Sequence, residues 1–387
     1  MTHPREVYLD NGATAFPRAP GTAAAMAEYL DTASGNPGRG GHRLALAASR
    51  AIEGARTEVA ELLGADPERT LLGPGATFWL NTVLVSRLAA GTRVVTSALE
   101  HNAVMRPLHH LESAGGVEVA VVDGGSADGV PTPREVAARV AEAATDLVVL
   151  THASNVSGAV LPVAAVARAV APVPVVVDAA QTAGSLEIDF AAIGVAALAC
   201  SGHKGLLGPP GVGVLLLAPG FEVEPLLRGG TGSRSESEEM PEFLPDRLEA
   251  GTMNGPGAAG LGAACRWLRN HTVEAVAEHV HRLAGRLAAG LRGIPGARLH
   301  GWEDGAPHTG ILSFTLEGHD VGTLAGWLDR ERGIMLRAGL HCAPAAHRRL
   351  GTFPDGALRA GIGPFNTSND IDALVVAVRS AAIDGIR

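Results

Sequence analysis

Short, nearly continuous apolar runs recur along this chain, and they constrain its fold more than any other feature. The runs are Arg93–Thr96, Val117–Val122, Leu147–Thr151, Val173–Asp178, Leu198–Ser201 and Val212–Leu217. Each is the length of one strand, and continuous apolarity rather than alternation marks a strand covered on both faces. Between them lie Ala/Leu/Glu/Arg stretches at helical spacing: Leu44–Leu63, Phe78–Ala89, Asn102–Ala114, Pro133–Ala143 and Ala164–Ala171. Strand and helix in turn imply βαβ units, hence an α/β fold with a mostly parallel central sheet flanked by helices. With 46% hydrophobic and 18% charged residues, disorder is excluded for most of the length.

The pattern changes near Gly251. A helical stretch at about 258–291 follows, then Ile311–Leu316, a helix at Val321–Arg332, a strand at Ile334–Arg337 and a closing helix at Ser368–Ile383. We expect a large domain over 16–255 and a smaller α+β domain over 256–387, joined by one long bridging helix. Residues 1–15 are expected to return and pack on the smaller domain. The formal charge of -9 argues against a general nucleic-acid binder. Only three cysteines occur, without a CxxC pair, which disfavours both a disulfide framework and a thiolate zinc site. The His109–His110 and His279/His281 pairs lack further ligands, so no metal is expected. No secretory h-region and no run of about 18 apolar residues is visible, so a soluble cytoplasmic protein is expected.

Several motifs could carry chemistry. In Cys200-Ser201-Gly202-His203-Lys204-Gly205 a lysine directly follows a buried strand. Lysine is strongly hydrated and avoids such places; in a dry pocket its lowered pKa makes it a carbonyl-capturing amine. Alone, Lys204 reads more readily as a solvated loop residue. Asp178 ends another buried run, where α/β folds place ligands, and its carboxylate could keep a pyridinium nitrogen protonated. Alone, it reads equally as a turn cap. Both residues end successive strands, so they can face one pocket. Gly73-Pro74-Gly75-Ala76-Thr77 opens a helix and suits a phosphate, or a plain N-cap. His101, after the Val94–Thr96 run, could cover a flat ring or be structural.

Arg337-Ala338-Gly339-Leu340-His341-Cys342-Ala343-Pro344 places a cysteine in what reads as an exposed, mobile connection, with Arg337 or His341 favouring its thiolate. Cys200 and Cys265 read as packing residues. Arg359 suits a bidentate grip on a carboxylate, or a surface ion pair. The GxGxxG match at Gly255–Gly260 follows no buried strand, so a nicotinamide reading is rejected.

Taken in order, these pieces resemble the pyridoxal-phosphate-dependent cysteine desulfurase and selenocysteine lyase family within the class V aminotransferases. The matching segments are Tyr8–Asn11, Asn36–His42, Gly75–Thr77, Glu100–Asn102, Ser154–Gly158, Asp178–Gln181, Ser201–Lys204, Glu249–Thr252, Arg337–Pro344 and Arg359, spanning essentially the full chain. The resemblance implies the type I fold of these transferases and pyridoxal phosphate as cofactor. It implies that Lys204 tethers the cofactor and serves as the base at Cα, that Asp178 pairs with the ring nitrogen, Gln181 bonds the ring hydroxyl and His101 stacks on the ring. Gly75, Ala76, Thr77, Ser201 and His203 would hold the phosphate, with Thr252 supplied by the second subunit of a homodimer. Asn155, Arg359 and Arg39 would bind the substrate, and Cys342 would take its sulfur as a persulfide. The short cysteine loop resembles the branch that works with a sulfur-acceptor protein. The implied substrate is L-cysteine or L-selenocysteine. Competing readings are another C–S lyase, epimerase or aminotransferase of specialised metabolism, needing Lys204 but not Cys342, and a non-catalytic sulfur-relay partner.

Overall fold

The computed structural model describes residues 6–38 and 41–386. The chain begins with β1 (Val7–Tyr8), α1 (Thr22–Thr32), α2 (Arg43–Leu63), β2 (Thr70–Gly73), α3 (Ala76–Arg87), β3 (Arg93–Ser97) and α4 (Asn102–Gly115). It continues through β4 (Glu118–Val122), α5 (Pro133–Ala141), β5 (Leu147–Thr151), α6 (Val163–Val170), β6 (Val175–Asp178), α7 (Phe190–Ile193), β7 (Ala197–Ser201) and β8 (Gly213–Leu217). Then follow α8 (Gly255–His271), α9 (Val273–Arg292), β9 (Ala297–His300), β10 (Ile311–Leu316) and α10 (Val321–Arg332). The last elements are β11 (Ile334–Met335), β12 (Arg337–Gly339), α11 (Pro344–Arg349), β13 (Ala357–Gly361) and α12 (Ser368–Asp384). Among the described residues no helix is long and apolar enough to cross a membrane.

A seven-stranded sheet, ordered β2-β8-β7-β6-β5-β3-β4, forms the larger body. The five strands from β7 to β4 are mutually parallel, whereas β8 pairs antiparallel with both β7 and β2. The apolar runs follow from the two-residue period of a strand. Val148, Leu150, Val175 and Val177 enter one core, while Leu147, Val149 and Val176 enter the core on the opposite face. Each side chain so buried contributes roughly 1.5–3 kcal/mol, so neither face tolerates a polar residue until the strands end. The register aligns Thr151 with Asp178 and Asp178 with Ala199, bringing the carboxyl ends of β5, β6 and β7 together.

A smaller antiparallel sheet, ordered β12-β13-β10-β9, packs its own core with α9, α10 and α12. The N-terminal strand joins this side: β1 pairs with β11, and Val7 and Leu9 are buried in the smaller core.

Two sequence expectations fail here. The long helix at about 258–291 is two helices, broken at Thr272. Thr272 takes a left-handed φ of 56°, and its hydroxyl accepts the Ala275 N–H to cap α9. The buried residues Ala258, Leu261, Ala264, Cys265 and Leu268 of α8 lie in the larger core, and the crossing to the smaller one falls within α9, between Val276 and Val280. The strand expected over Ile334–Arg337 is likewise two strands, because β11 pairs with β1 whereas β12 pairs with β13. Leu336 is the residue at which the chain passes from one sheet to the other.

Candidate active site

At the carboxyl ends of the parallel strands lies a cavity of about 230 Å³. Asp178, Lys204, His101, Ala76, Thr77, Asn155, Gln181, Ser201, His203, Arg337, His341, Cys342 and Arg359 all line it. Strand β6 carries Asp178 as its last residue, and the turn after β7 carries Lys204. The turn is tied down: the His203 carbonyl accepts from the Ala15 N–H at 2.8 Å and from Arg18 Nη1 at 2.7 Å, and the Lys204 carbonyl accepts from the Leu207 N–H at 2.8 Å.

The electrostatics of this floor are unusual for a protein interior. Lys204 is half-buried, because it lines the cavity, yet protein crowds its amine. Burial is the main force lowering its pKa, to about 8; Asp178 opposes the shift and the Arg359 and Arg337 guanidiniums add to it. Burial raises the Asp178 carboxyl above its ordinary range, against a hydrogen bond from the Ala180 N–H at 2.9 Å and the charge of Lys204. His101 caps α4, its Nδ1 accepting the Ala103 N–H at 3.0 Å. That nitrogen is therefore unprotonated, in accord with burial and the surrounding cations bringing its pKa down to about 4.

At one end of the cavity α3 begins, with Gly75 as its N-cap. The Ala76 N–H donates to Ser201 Oγ at 3.2 Å, and Thr77 and His203 stand beside them on the cavity wall. Gly213 permits this approach, since a Cβ there would come within 2.4 Å of the Gly75 Cα. Free N–H groups, a hydroxyl and an imidazole at a helix N-terminus form a donor set for an anion.

The opposite wall comes from the smaller sheet. Arg359 in β13 is paired directly across from Arg337 in β12, so both guanidiniums project from the same face into the cavity. Like charges in register cost stability unless an anion meets them. Arg359 is 1% exposed; its Nη2 reaches Asp10 at 3.0 Å and its Nη1 the Asn155 carbonyl at 3.0 Å, while its Nε has no partner. Asn155 Nδ2 donates to the His341 carbonyl at 2.7 Å, and its buried Oδ1 is unpartnered. Both orphaned atoms call for a ligand.

Cys342 is exposed, whereas Cys200 and Cys265 are buried and burial pushes both of those thiols up, Cys200 to about 12. The connection bearing Cys342 is not the free loop expected from its Gly and Pro. The Cys342 carbonyl accepts the Asn102 N–H at 2.8 Å, the His341 carbonyl is held by Asn155, and the Ala343 N–H closes a turn onto Leu340 at 2.9 Å. His341 and Cys342 both adopt left-handed φ, 50° and 57°.

Other expected residues stand apart. Thr252 is exposed and lies outside this cavity in its own chain. Arg39 falls outside the described residues. Gln181 reaches the cavity while its Nε2 donates to the Gly12 carbonyl at 3.0 Å. Glu100 has no assigned role in the sequence reading, yet it is fully buried behind His101. Its Oε1 accepts from Ser97 Oγ and from the Thr151 N–H at 2.9 Å, tying the ends of β3 and β5 together. Burial pushes its pKa up to about 8, against the hydrogen bonds from Ser97 and Thr151. A lone Glu between an apolar run and His101 is the signal that could have marked it.

The Aminotransferase class-V family model matches residues 7–374. The chain is 35% identical over 376 residues to a probable cysteine desulfurase of Methanothermobacter thermautotrophicus, covering 95% of this chain and 92% of that protein. Its fold is similar to that of the apo cysteine desulfurase of Thermococcus onnurineus, with a TM-score of 0.90, 29% identity, and 97% and 94% of the two chains covered. It is also similar to an Escherichia coli cysteine desulfurase in an S-sulfonic acid form, with a TM-score of 0.85, 29% identity, and 99% and 96% covered. A full-length match in sequence and fold, around a cavity with this amine, carboxylate and thiol, places the chain in the class-V aminotransferase family, among the pyridoxal-phosphate-dependent cysteine desulfurases.

Proposed function

We propose that this protein converts L-cysteine to L-alanine and carries the released sulfur as a persulfide on Cys342. One observation supports this above all: a half-buried amine with a lowered pKa, a buried carboxylate and an exposed thiol line a single cavity. The residues present fit pyridoxal phosphate. Asp178 is a buried carboxylate in want of a cation, which a protonated ring nitrogen supplies. The α3 N-terminus with Thr77, Ser201 and His203 suits the phosphate, Gln181 suits the ring hydroxyl, and the neutral His101 ring suits the face of the cofactor. When bound, the cofactor supplies an electron-withdrawing ring that stabilises negative charge at the substrate Cα.

The chain's own groups do the rest. Lys204 would hold the cofactor through its amine and is placed to take the substrate Cα proton; a pKa of about 8 suits both tasks. Arg359, with its free Nε and its fixed partners Asp10 and Asn155, receives the substrate carboxylate, and Arg337 adds positive field. Arg39 is a further substrate contact in this scheme. The Cys342 thiolate bonds to the substrate sulfur as that sulfur's bond to Cβ breaks. The electron pair of the broken bond stays on Cβ, which takes up a proton; a proton is returned to Cα, for which the Lys204 amine is placed, and alanine leaves.

Selenocysteine fits the same geometry, since selenium is the softer atom and leaves the same carbon. The exposed position of Thr252 outside its own cavity supports a homodimer in which it reaches the neighbouring chain's phosphate site. The exposed Cys342 suits delivery to a sulfur-acceptor protein, and three reduced thiols suit a cytoplasmic setting. Purified Cys342→Ala tests the proposal: alanine and sulfide output from L-cysteine should fall to background while cofactor absorbance is retained. Full activity in that variant would favour a lyase, epimerase or aminotransferase working without the thiol.

A further inference from the structure

Beneath the cysteine loop runs a buried chain of hydrogen bonds that the reaction as described does not use. His341 Nδ1 and His347 Nε2 are 3.1 Å apart, and His347 Nδ1 lies 2.6 Å from Thr352 Oγ1. The two rings stack with centroids 5.2 Å apart, and His347 is fully buried in α11.

At the two ends of this chain, His341 Nε2 faces the Arg337 carbonyl at 3.5 Å and the Thr352 hydroxyl lies 3.5 Å from the His347 carbonyl. With both rings neutral, each ring has one N–H and one bare nitrogen, so the His341–His347 and His347–Thr352 contacts can each pair one donor with one acceptor. Burial keeps both rings neutral, drawing His341 down to about 2 and His347 to about 4.

The chain ends on the residue that sets the shape of the loop. His341 and Cys342 are successive non-glycine residues in the left-handed region, a conformation costing roughly 1–2 kcal/mol each. Such a backbone persists only where its surroundings over-determine it. Two carbonyl contacts, from Asn155 and Asn102, hold the main chain. The His341 ring is the remaining handle, and His347 holds that ring. We propose that His347 is a positioning residue for sulfur transfer, fixing the His341 ring through a Thr352–His347–His341 hydrogen-bond chain so that the adjoining Cys342 thiol is held over the cavity. This rests on Cys342 being the sulfur-accepting thiol.

The test is single-turnover persulfide formation on Cys342 in the holoenzyme, followed by mass spectrometry after mixing with L-cysteine. His347→Leu removes the donor and acceptor and should slow persulfide formation about tenfold or more, the effect of one well-placed hydrogen bond. Its cofactor absorbance, the change in that absorbance on substrate binding, and alkylation of Cys342 by iodoacetamide should match the parent. His347→Gln, whose amide can donate to His341 and accept from Thr352, should recover most of the rate. Should His347→Leu fail to fold, Thr352→Val replaces it, with a several-fold slowing expected from loss of one neutral hydrogen bond. A parent-like rate in His347→Leu, or in Thr352→Val where that variant stands in, overturns the proposal. So does a His347→Gln as slow as His347→Leu, or a slowdown matched by equal loss of cofactor absorbance. Cys342→Ala separates the two readings: turnover in it removes the thiol itself, whereas an inactive Cys342→Ala beside an unimpaired His347→Leu removes only the hydrogen-bond chain.

Discussion

The two walls of the cavity are built on different principles. Asp178 and Lys204 stand at the ends of adjacent parallel strands, β6 and β7, whose every residue is buried, so their positions are inherited from the most rigid part of the molecule. Cys342 stands on a short connection of the smaller sheet, with two left-handed residues in succession and side-chain and backbone hydrogen bonds to hold it. The floor is positioned mainly by packed strands, with hydrogen bonds finishing the Lys204 turn, and the thiol mainly by polar contacts. The difference suits the division of labour. In the proposed reaction the base keeps one geometry through proton transfer, whereas the thiol stays fixed for attack and open to a sulfur acceptor.

The largest expected effect lies on the packed wall. Lys204→Ala should lose the covalently tethered cofactor and reduce turnover by roughly 10²–10⁴-fold or more, as removal of a base and tether implies. Absorbance spectra with and without borohydride check the first claim. Alkylation of Cys342 in the same variant should be unchanged, because the two walls are held separately. Coupled loss of both would break the comparison.

On the opposite wall, Arg359→Lys keeps the charge and removes the planar fork that holds Asp10 and the Asn155 carbonyl together. Truncating a buried, hydrogen-bonded charge contact costs at least about 2 kcal/mol, so KM for L-cysteine should rise roughly 30-fold. Steady-state kinetics check this, and a change confined to kcat would contradict the assignment of Arg359 to carboxylate binding.

The smallest effect is on stability in acid. His341 and His347 are held neutral in the folded protein, at about 2 and about 4 against an ordinary 6.5, chiefly by burial; His101, His152, His203 and His308 are brought to about 4 in the same way. Below pH 6.5 the unfolded chain takes up protons that the folded chain refuses. The contribution of these histidines to stability is therefore full above about pH 6.5 and declines as pH falls toward 4. Thermal unfolding of the apo-protein across that window should show a falling midpoint, and a flat profile would contradict neutral burial. His347→Gln should lessen the decline, which would tie part of it to the cysteine wall.

Much of the packed wall is legible in the sequence, because burial on both faces leaves an apolar run and the first polar residues after it stand out, as Asp178 and Lys204 do. The other wall is legible only in pieces. Cys342 and Arg359 can be picked out, but that Arg337 sits opposite Arg359 depends on strand register, which no local pattern states. The break at Thr272 carries no Gly or Pro to announce it; a threonine fits a helix until its hydroxyl is seen capping the next one. The passage of Ile334–Arg337 from one sheet to another is hidden because an apolar run does not name its partner strand. His347 and Thr352 give no signal at all, since their meaning arises from the ring of His341 folding back onto α11.

The central claim is that a thiol held in place by the smaller sheet receives sulfur from a substrate bound over Lys204. The most direct measurement is a peptide-resolved mass spectrum of the holoenzyme after brief exposure to L-cysteine, with thiols trapped by alkylation. One added sulfur atom on the peptide containing Cys342, and none on those containing Cys200 or Cys265, is the predicted result. Alanine formed in stoichiometric amount with Cys342 unmodified throughout, and no sulfur acceptor present to remove it, would contradict the account.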